Sequence, residues 1–321
     1  MEIVCSTDNN YIMPTGVMLT SLCINNQSED VHVHVLGSNL MATSRESLRR
    51  IVEKYGKNIT FHQIDESRMA DFPINRPGQS SHISSLATYY RLFLADIMPE
   101  SVKKVIYLDG DIIVRHSLAP MWNTEIDGFA IAGIPDMSNN QVAPYNRLLY
   151  PQALGYVNAG VLLINLDYWR RNDVKADFYD LARSHPERLG CHDQDILNYV
   201  FRNHKLLLDA KFNIQSSFLF EHQYTDLTYD IIAQIDASLT DPVIIHYVTG
   251  PKPWQRNCIH PYQQEFLKYR NLTEWKDMPM QPGDSMRLRI RHRLVKILVD
   301  LGFFKRDSYV KYKFRKDAVL K

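Results

Sequence analysis

The chain has 321 residues, 45% hydrophobic and 23% charged, with a formal net charge of +1. That length suits one large α/β domain, or one domain with a small appendage, and the near-zero charge gives none of the global basic character of a nucleic-acid binder. The average conceals an asymmetry, because Gln281 to Lys321 holds 12 Lys and Arg against 4 Asp and Glu, a local +8 that leaves the body at −7.

Cys5, Cys23, Cys191 and Cys258 form no CxxC pair and no Cys/His cluster with zinc spacing, which reads as free thiols in a reducing compartment. The opening MEIVCSTDNN has neither a basic region nor a long apolar run, so no secretory leader is expected. No stretch reaches the roughly 18 apolar residues that span a bilayer. The expected location is the cytosol, in solution or on a membrane surface.

EIVCST (2–7) reads as a first strand, and residues 14–25 as a helix opening on Pro14. VHVHVL (31–36) alternates as a strand does. A helix over 43–55 starts at Thr43 or Ser44 and stops at Gly56. ITFHQI (59–64) is a third strand, Leu86 to Ile97 a helix, and Lys104 to Leu108 a buried strand. Short strands follow near 129–134 and 160–165, helices over about 167–184 and 193–203, and a late strand in VIIHYV (243–248). Such alternation predicts a mostly parallel, doubly wound sheet, with ligands beyond the carboxyl ends of its strands.

Two aspartates, Asp109 and Asp111, interrupt the apolar run VIYLDGDIIV. A buried carboxylate is costly unless paired or metal-bound, and no Lys or Arg lies between Lys104 and Arg115. Two hard oxygen donors flanking Gly110, a residue that permits a tight turn and close approach, suit a divalent cation that keeps positions for phosphate oxygens. The alternative is a pair of turn aspartates. His246 is either structural or a third ligand, and oxygen plus imidazole suits Mn²⁺, with Mg²⁺ also possible. Thr7, Asp8 and Asn10 hold a nucleoside or form an ordinary βα turn, since GxGxxG is absent. Asp193 and Asp195 in HDQDILN offer helix caps or ligands. Lys252 in GPKPW meets a phosphate or solvent.

Together EIVCSTDNNY, HISSLATYYRL, VIYLDGDIIV, YVNAGVLLINLDYWR, HDQDILN and HYVTGPKPW, in this order, resemble the retaining glycosyltransferases of family 8, especially bacterial lipopolysaccharide galactosyl- and glucosyltransferases. The resemblance runs from Met1 to about residue 275. It implies a GT-A fold over residues 1–280, an α/β nucleotide-binding domain with a mixed, mostly parallel sheet, and a UDP-hexose donor. It assigns Thr7, Asp8 and Asn10 to the nucleoside and Asp109, Asp111 and His246 to the metal. Gly250 and Lys252 then belong to the diphosphate, and Arg91, Asn158, Ala159 and Asp193 to the donor sugar. Asp136 falls at the site's edge and Gln194 on the acceptor side of the anomeric carbon. HISSLATYYRL carries one extra residue between its His and Thr, so roles for His82 and Ile83 do not transfer as that of Arg91 does.

The implied reaction moves a hexose from UDP to an acceptor hydroxyl with retention, and the metal and Lys252 offset charge on the departing UDP. No protein acid is then needed at the leaving group, unlike in a two-carboxylate glycosidase. A same-face displacement is expected, with the Gln194 carbonyl beside the developing cation. A covalent sugar on Asp193 is the alternative. In the basic, amphipathic 281–321 segment Arg287, Arg289, Arg291, Arg293 and Lys296 lie among Leu288, Ile290, Leu294, Ile297 and Leu298, a pattern suited to an anionic membrane surface or to a C-terminal helix packed on the domain with a solvated basic face. A saccharide or glycolipid acceptor, such as a lipopolysaccharide precursor at the inner face of the cytoplasmic membrane, fits that placement. Two rival readings are a self-glucosylating or protein-acceptor enzyme and a membrane-associated nucleotide-sugar-binding protein without turnover. Nucleic acid is not expected, because no recognition module accompanies the basic tail.

Overall fold

A computed structural model describes residues 1–73, 85–136, 142–220, 228–248, 250–283 and 314–320, with positions 294, 297, 298, 301 and 303 between them. His82, Ile83 and the basic positions Arg287, Arg289, Arg291, Arg293 and Lys296 lie outside the described residues.

The strands are β1 (Glu2–Ser6), β2 (His32–Gly37), β3 (Asn58–Gln63), β4 (Lys104–Leu108), β5 (Ile112–Val114), β6 (Ile131–Pro135), β7 (Val157–Asn165), β8 (Lys205–Leu207), β9 (Ile214–Gln215) and β10 (Ile244–His246). The helices are α1 (Ile12–Asn25), α2 (Ala42–Lys54), α3 (Leu94–Ile97), α4 (Ala119–Trp122), α5 (Val142–Leu148), α6 (Leu166–Arg171), α7 (Val174–Ser184), α8 (His192–Val200), α9 (Tyr229–Ser238) and α10 (Gln263–Arg270). One sheet has the order β3-β2-β1-β4-β7-β6-β8. Its first four strands run parallel, β7 is antiparallel to both neighbours, and β8 is parallel to β6. The sheet is therefore mixed and mostly parallel, as expected.

Both faces of this sheet are covered, which is why its central strands read as unbroken apolar runs. On one face Ile3, Cys5, Ile106 and Leu108 pack with Val17, Leu48 and Val52 of α1 and α2. On the other, Val4, Val105 and Tyr107 pack with Tyr89, Phe93, Trp169, Phe178 and Ile196. Each fully buried aliphatic chain of this kind contributes about 1.5–3 kcal/mol relative to exposure.

Three expectations need correction. Leu86–Phe93 is a 3-10 helix and only Leu94–Ile97 is α-helical. Tyr89 to Phe93 are buried consecutively, so tertiary packing on several sides overrides the α-helical spacing. The helix expected over 167–184 is broken into α6 and α7 at Asp173, whose φ of 44° is left-handed. The strand of His246 does not join the main sheet: β5, β10 and β9 form a separate three-stranded sheet. Helices α9 and α10 carried no signal that the sequence reading used.

The chain's last described segment returns to the domain. Phe314 bridges to Phe220, Arg315 Nη1 lies 2.6 Å from Asp236 Oδ1, and Ala318 is buried in the core. All four cysteines are free thiols. Among the described residues no helix is long and apolar enough to cross a membrane.

Candidate active site

β4 ends at Leu108 and β5 begins at Ile112, so Asp109-Gly110-Asp111 is the junction between the two sheets. The Asp109 N–H donates to Gly160 O of β7 (2.8 Å), and Asp111 O accepts from the Tyr247 N–H (3.0 Å). His246 is the register partner of Ile112, which brings its ring beside Asp111. His246 Nε2 lies 3.3 Å from Asp111 Oδ1 and 3.8 Å from Asp109 Oδ2. One atom from each of the three residues lies within 4.8 Å of the other two.

The tautomer of His246 follows from its partners. The Gly160 N–H donates to Asn158 Oδ1 (3.0 Å), and Asn213 Nδ2 donates to the same oxygen (3.0 Å). Asn213 Oδ1 therefore faces His246 Nδ1 at 3.0 Å, which places the proton on Nδ1 and the lone pair of Nε2 toward the carboxylates. Two carboxylate oxygens and one such nitrogen are a donor set for Mn²⁺ or Mg²⁺.

Glycine is needed in two places here. A Cβ on Gly160 would lie 2.3 Å from His246 Cε1 and 2.5 Å from Asp109 Oδ2. Gly160 thus sets the floor of the site, and the sequence reading did not single it out, although a glycine inside a strand signals close approach. Gly110 has no positive φ; it is confined because a Cβ would meet Thr15 Oγ1 at 2.8 Å and the Tyr11 ring at 3.0 Å. Its constraint is packing against the start of α1 rather than a tight turn.

The aspartates do have basic partners, brought from far along the chain. Lys252 Nζ is 2.6 Å from Asp111 Oδ2 and also donates to Tyr247 O (2.5 Å) and Val248 O (3.1 Å). Burial pushes the Asp111 carboxyl up, but Lys252 and His246 outweigh it and hold it well below the usual carboxylate range. Arg91 Nη2 is 2.8 Å from Asp109 Oδ1, and its guanidinium lies over the Tyr107 ring at 4.0 Å. Another Arg91 nitrogen donates to Ala159 O. Burial works against the charge of Arg91, yet Asp109 and Asp193 raise its pKa and keep it cationic.

Asp193 is buried at the first turn of α8, accepts from Thr88 Oγ1, and lies 3.0 Å from Arg91 Nε. That approach is out of line for a hydrogen bond, so among the described residues the buried Arg91 Nε and Asp193 Oδ2 have no hydrogen-bond partner. A buried acceptor of this kind fits a ligand hydroxyl. Burial raises the Asp193 pKa while Arg91 and Thr88 pull against it.

Gln194 Oε1 accepts from the Ala159 N–H (2.9 Å) and from Asn158 Nδ2 (3.3 Å), while its Nε2 donates to Asp136 Oδ2 (2.8 Å) and Tyr156 OH (3.2 Å). Both lone-pair directions of the Gln194 carbonyl are thus engaged by β7 donors. Asn158 Nδ2 also donates to Asp136 Oδ2 (2.9 Å). One continuous network therefore runs from His246 through Asn213 and Asn158 to Asp136 and Gln194. Asp195 serves the helix start, accepting from the Cys191 N–H, from Arg147 Nη2 (2.8 Å) and from Tyr156 OH (2.8 Å).

At the end of β1, Thr7 Oγ1 meets Thr15 Oγ1 at 2.9 Å, and Asp8 Oδ1 accepts from the N–H groups of Asn10 (2.8 Å) and Tyr11 (3.1 Å). Asp8 thus shapes the turn into α1, and Asn10 is exposed beside it. Gly250 is exposed too, and the neighbouring loop is anchored where the Trp254 and Tyr11 rings meet edge to face at 5.5 Å. Asn213, Thr88 and Tyr156 were not anticipated; polar residues of ordinary sequence context acquire meaning only through their distant partners.

Fold and site define a sugar-transferring enzyme of the GT-A class. The chain belongs to glycosyl transferase family 8, whose profile matches residues 2–258. It is 28% identical over 279 residues to general stress protein A of Bacillus subtilis (86% of this chain, 94% of that one). It is 26% identical over 297 residues to a lipopolysaccharide 1,3-galactosyltransferase of Salmonella typhimurium (90% and 83%). Among solved structures, the galactosyltransferase LgtC in complex with donor and acceptor sugar analogues superposes with a TM-score of 0.77 at 27% identity, covering 85% of this chain and 96% of that one.

Proposed function

We propose that the enzyme transfers galactose or glucose from a UDP-sugar to an acceptor hydroxyl, retaining the α configuration, on a lipopolysaccharide or related cell-surface glycan precursor. The triangle of Asp109, Asp111 and His246 at the sheet junction, wired through Asn213 and Asn158 to Gln194, carries this reading.

Bound by these three residues, Mn²⁺ or Mg²⁺ would supply Lewis-acid stabilisation of the leaving diphosphate. Thr7, Asp8 and Asn10 line the nucleoside end, beyond β1. Lys252, which neutralises Asp111 here, has three donors on a flexible stem and can turn to the diphosphate beside Gly250. Arg91, Ala159, Asn158 and Asp193 hold the sugar, the buried Asp193 Oδ2 taking a hydroxyl. Asp193 brings a carboxylate close to the developing oxocarbenium charge. Gln194, fixed by four hydrogen bonds, orients the wall on the acceptor side together with Asp136.

The basic segment after residue 281 supports an acceptor at an anionic membrane surface, and Leu294, Ile297, Leu301 and Phe303 are exposed there. The deciding experiment is UDP release from a panel of UDP-sugars with Mn²⁺, Mg²⁺ or EDTA. Release from UDP-galactose or UDP-glucose that EDTA abolishes is the expected result. A chain that binds no UDP under any of these conditions would overturn the reading.

A further inference from the structure

We propose that Glu2, His32 and His34 form a second metal site, for a borderline transition-metal dication of the zinc class, at the end of the sheet opposite the sugar site.

The strand pattern builds it. In VHVHV the valines face the α1/α2 layer, so the histidines face the other side of β2. Glu2 is the register partner of His32, and the neighbouring pair Val4 and His34 follows on the same face. Glu2 Oε2 then lies 2.7 Å from His34 Nε2 and 3.4 Å from His32 Nδ1, and the three donor atoms all fall within 4.8 Å of one another.

Each imidazole uses its other nitrogen outward. His32 Nε2 meets Thr60 Oγ1 at 2.8 Å, and His34 Nδ1 meets His62 Nε2 at 2.9 Å. This is the arrangement of a ligating histidine whose far nitrogen is oriented by a further partner. Four ligands at about 2.0–2.1 Å from zinc stand about 3.3–3.4 Å apart; the Glu2–His32 approach already matches that, and the Glu2–His34 approach must open by roughly 0.6–0.7 Å. His34 is buried, whereas the side chains of Glu2 and His32 are 28% and 35% exposed, which leaves a fourth position to water. Two imidazoles and one carboxylate select zinc over the oxygen-preferring Mg²⁺ and Mn²⁺. The site draws residues from β1 and β2 and is braced by β3, so its ion would tie three parallel strands together rather than join the sugar chemistry.

The test is a Zn²⁺ titration of the full-length, metal-free chain against a chromophoric chelator. The Asp109→Asn/Asp111→Asn variant should bind one equivalent, which the parent binds in addition to any ion at Asp109, Asp111 and His246, and Co²⁺ in that variant should give the visible absorption of a four-coordinate site. Glu2→Gln and His32→Gln should each weaken that Zn²⁺ at least tenfold while keeping the metal-free melting temperature. Thr60→Val, which leaves every ligand in place, should weaken it about tenfold. Zn²⁺ should also raise the melting temperature of the parent more than that of Glu2→Gln. The proposal fails if Glu2→Gln and His32→Gln bind Zn²⁺ as the parent does, or if the Asp109→Asn/Asp111→Asn variant retains none.

Discussion

His246 leans across Gly160 so closely that the glycine has no space for a methyl group: a Cβ there would stand 2.3 Å from the imidazole Cε1. Gly160→Ala must therefore push the imidazole or the Asp109 carboxylate out of place. Displacements of about 1 Å cost on the order of a hundredfold in rate, and overpacking costs about 1–3 kcal/mol. The expected variant is folded, with a melting temperature a few degrees lower and UDP release reduced about a hundredfold. Unchanged Mn²⁺ dependence and rate would show that the approach is not strained.

Arg91 is the shared counter-ion of Asp109 and Asp193, and its side chain is 6% exposed. Arg91→Met leaves two carboxylates without it and should cost about 3–5 kcal/mol, since breaking a buried pair strands a charge. Adding Asp193→Leu should return part of that loss, with a coupling of about 0.5–3 kcal/mol in urea unfolding. Strict additivity of the two substitutions would mean that the pair is not energetically linked.

His260 supplies a pH dependence outside the Asp109, Asp111 and His246 triangle. It is buried against the rings of Tyr247, Tyr262 and Phe314, and its Nδ1 accepts from the Tyr262 N–H (3.1 Å). Burial, aided by Lys252, pulls its pKa down to about 3. The unfolded chain takes up this proton near pH ~6.5 and the folded chain does not, so stability falls as pH drops from about 6.5 towards 3. The slope from this one group is about 1.4 kcal/mol per pH unit. His260→Asn keeps an acceptor for Tyr262 and should flatten the acid limb of the melting curve by roughly that amount. An identical acid limb in both proteins would remove His260 as its source.

Because Phe314, Arg315 and Ala318 belong to the packed domain, truncation after Pro282 would unsettle the fold together with any membrane contact. Replacing Arg287, Arg289, Arg291 and Arg293 by Gln in the full chain is the cleaner change. At about 1 kcal/mol per basic residue, binding to anionic vesicles should drop close to a thousandfold, with UDP release from the free sugar donor unaltered. Equal vesicle binding by parent and variant would sever the tail from the membrane.

The sequence made Asp109 and Asp111 legible as candidates because two carboxylates within an apolar run pose an unmistakable energetic problem. Their organic partners were not legible. Arg91 and Lys252 lie 18 and 141 positions from the aspartates they meet, so inspecting the run itself could reveal neither. The longer strands of the large sheet and β10 were legible because period and apolar content persist locally, whereas the two- and three-residue β5, β8 and β9 were not. The split of 104–114 between two sheets was not, since a strand's membership is decided by its neighbours. The left-handed Asp173 and the 3-10 form of Leu86–Phe93 are tertiary outcomes of the same kind. Gln194 was legible as a candidate, but the engagement of its carbonyl depends on where the backbone of β7 falls.

The junction at Asp109-Gly110-Asp111 makes the triangle of Asp109, Asp111 and His246 a joint between two plates. One carboxylate ends the large plate, while the other carboxylate and the imidazole ride on the small one. An ion gripped by all three would act as a rivet, and its affinity would gauge how the plates are seated. The small plate's register is consequently under chemical as well as steric control: a slip of β10 by one residue against β5 would turn His246 to the opposite face and pull the rivet out.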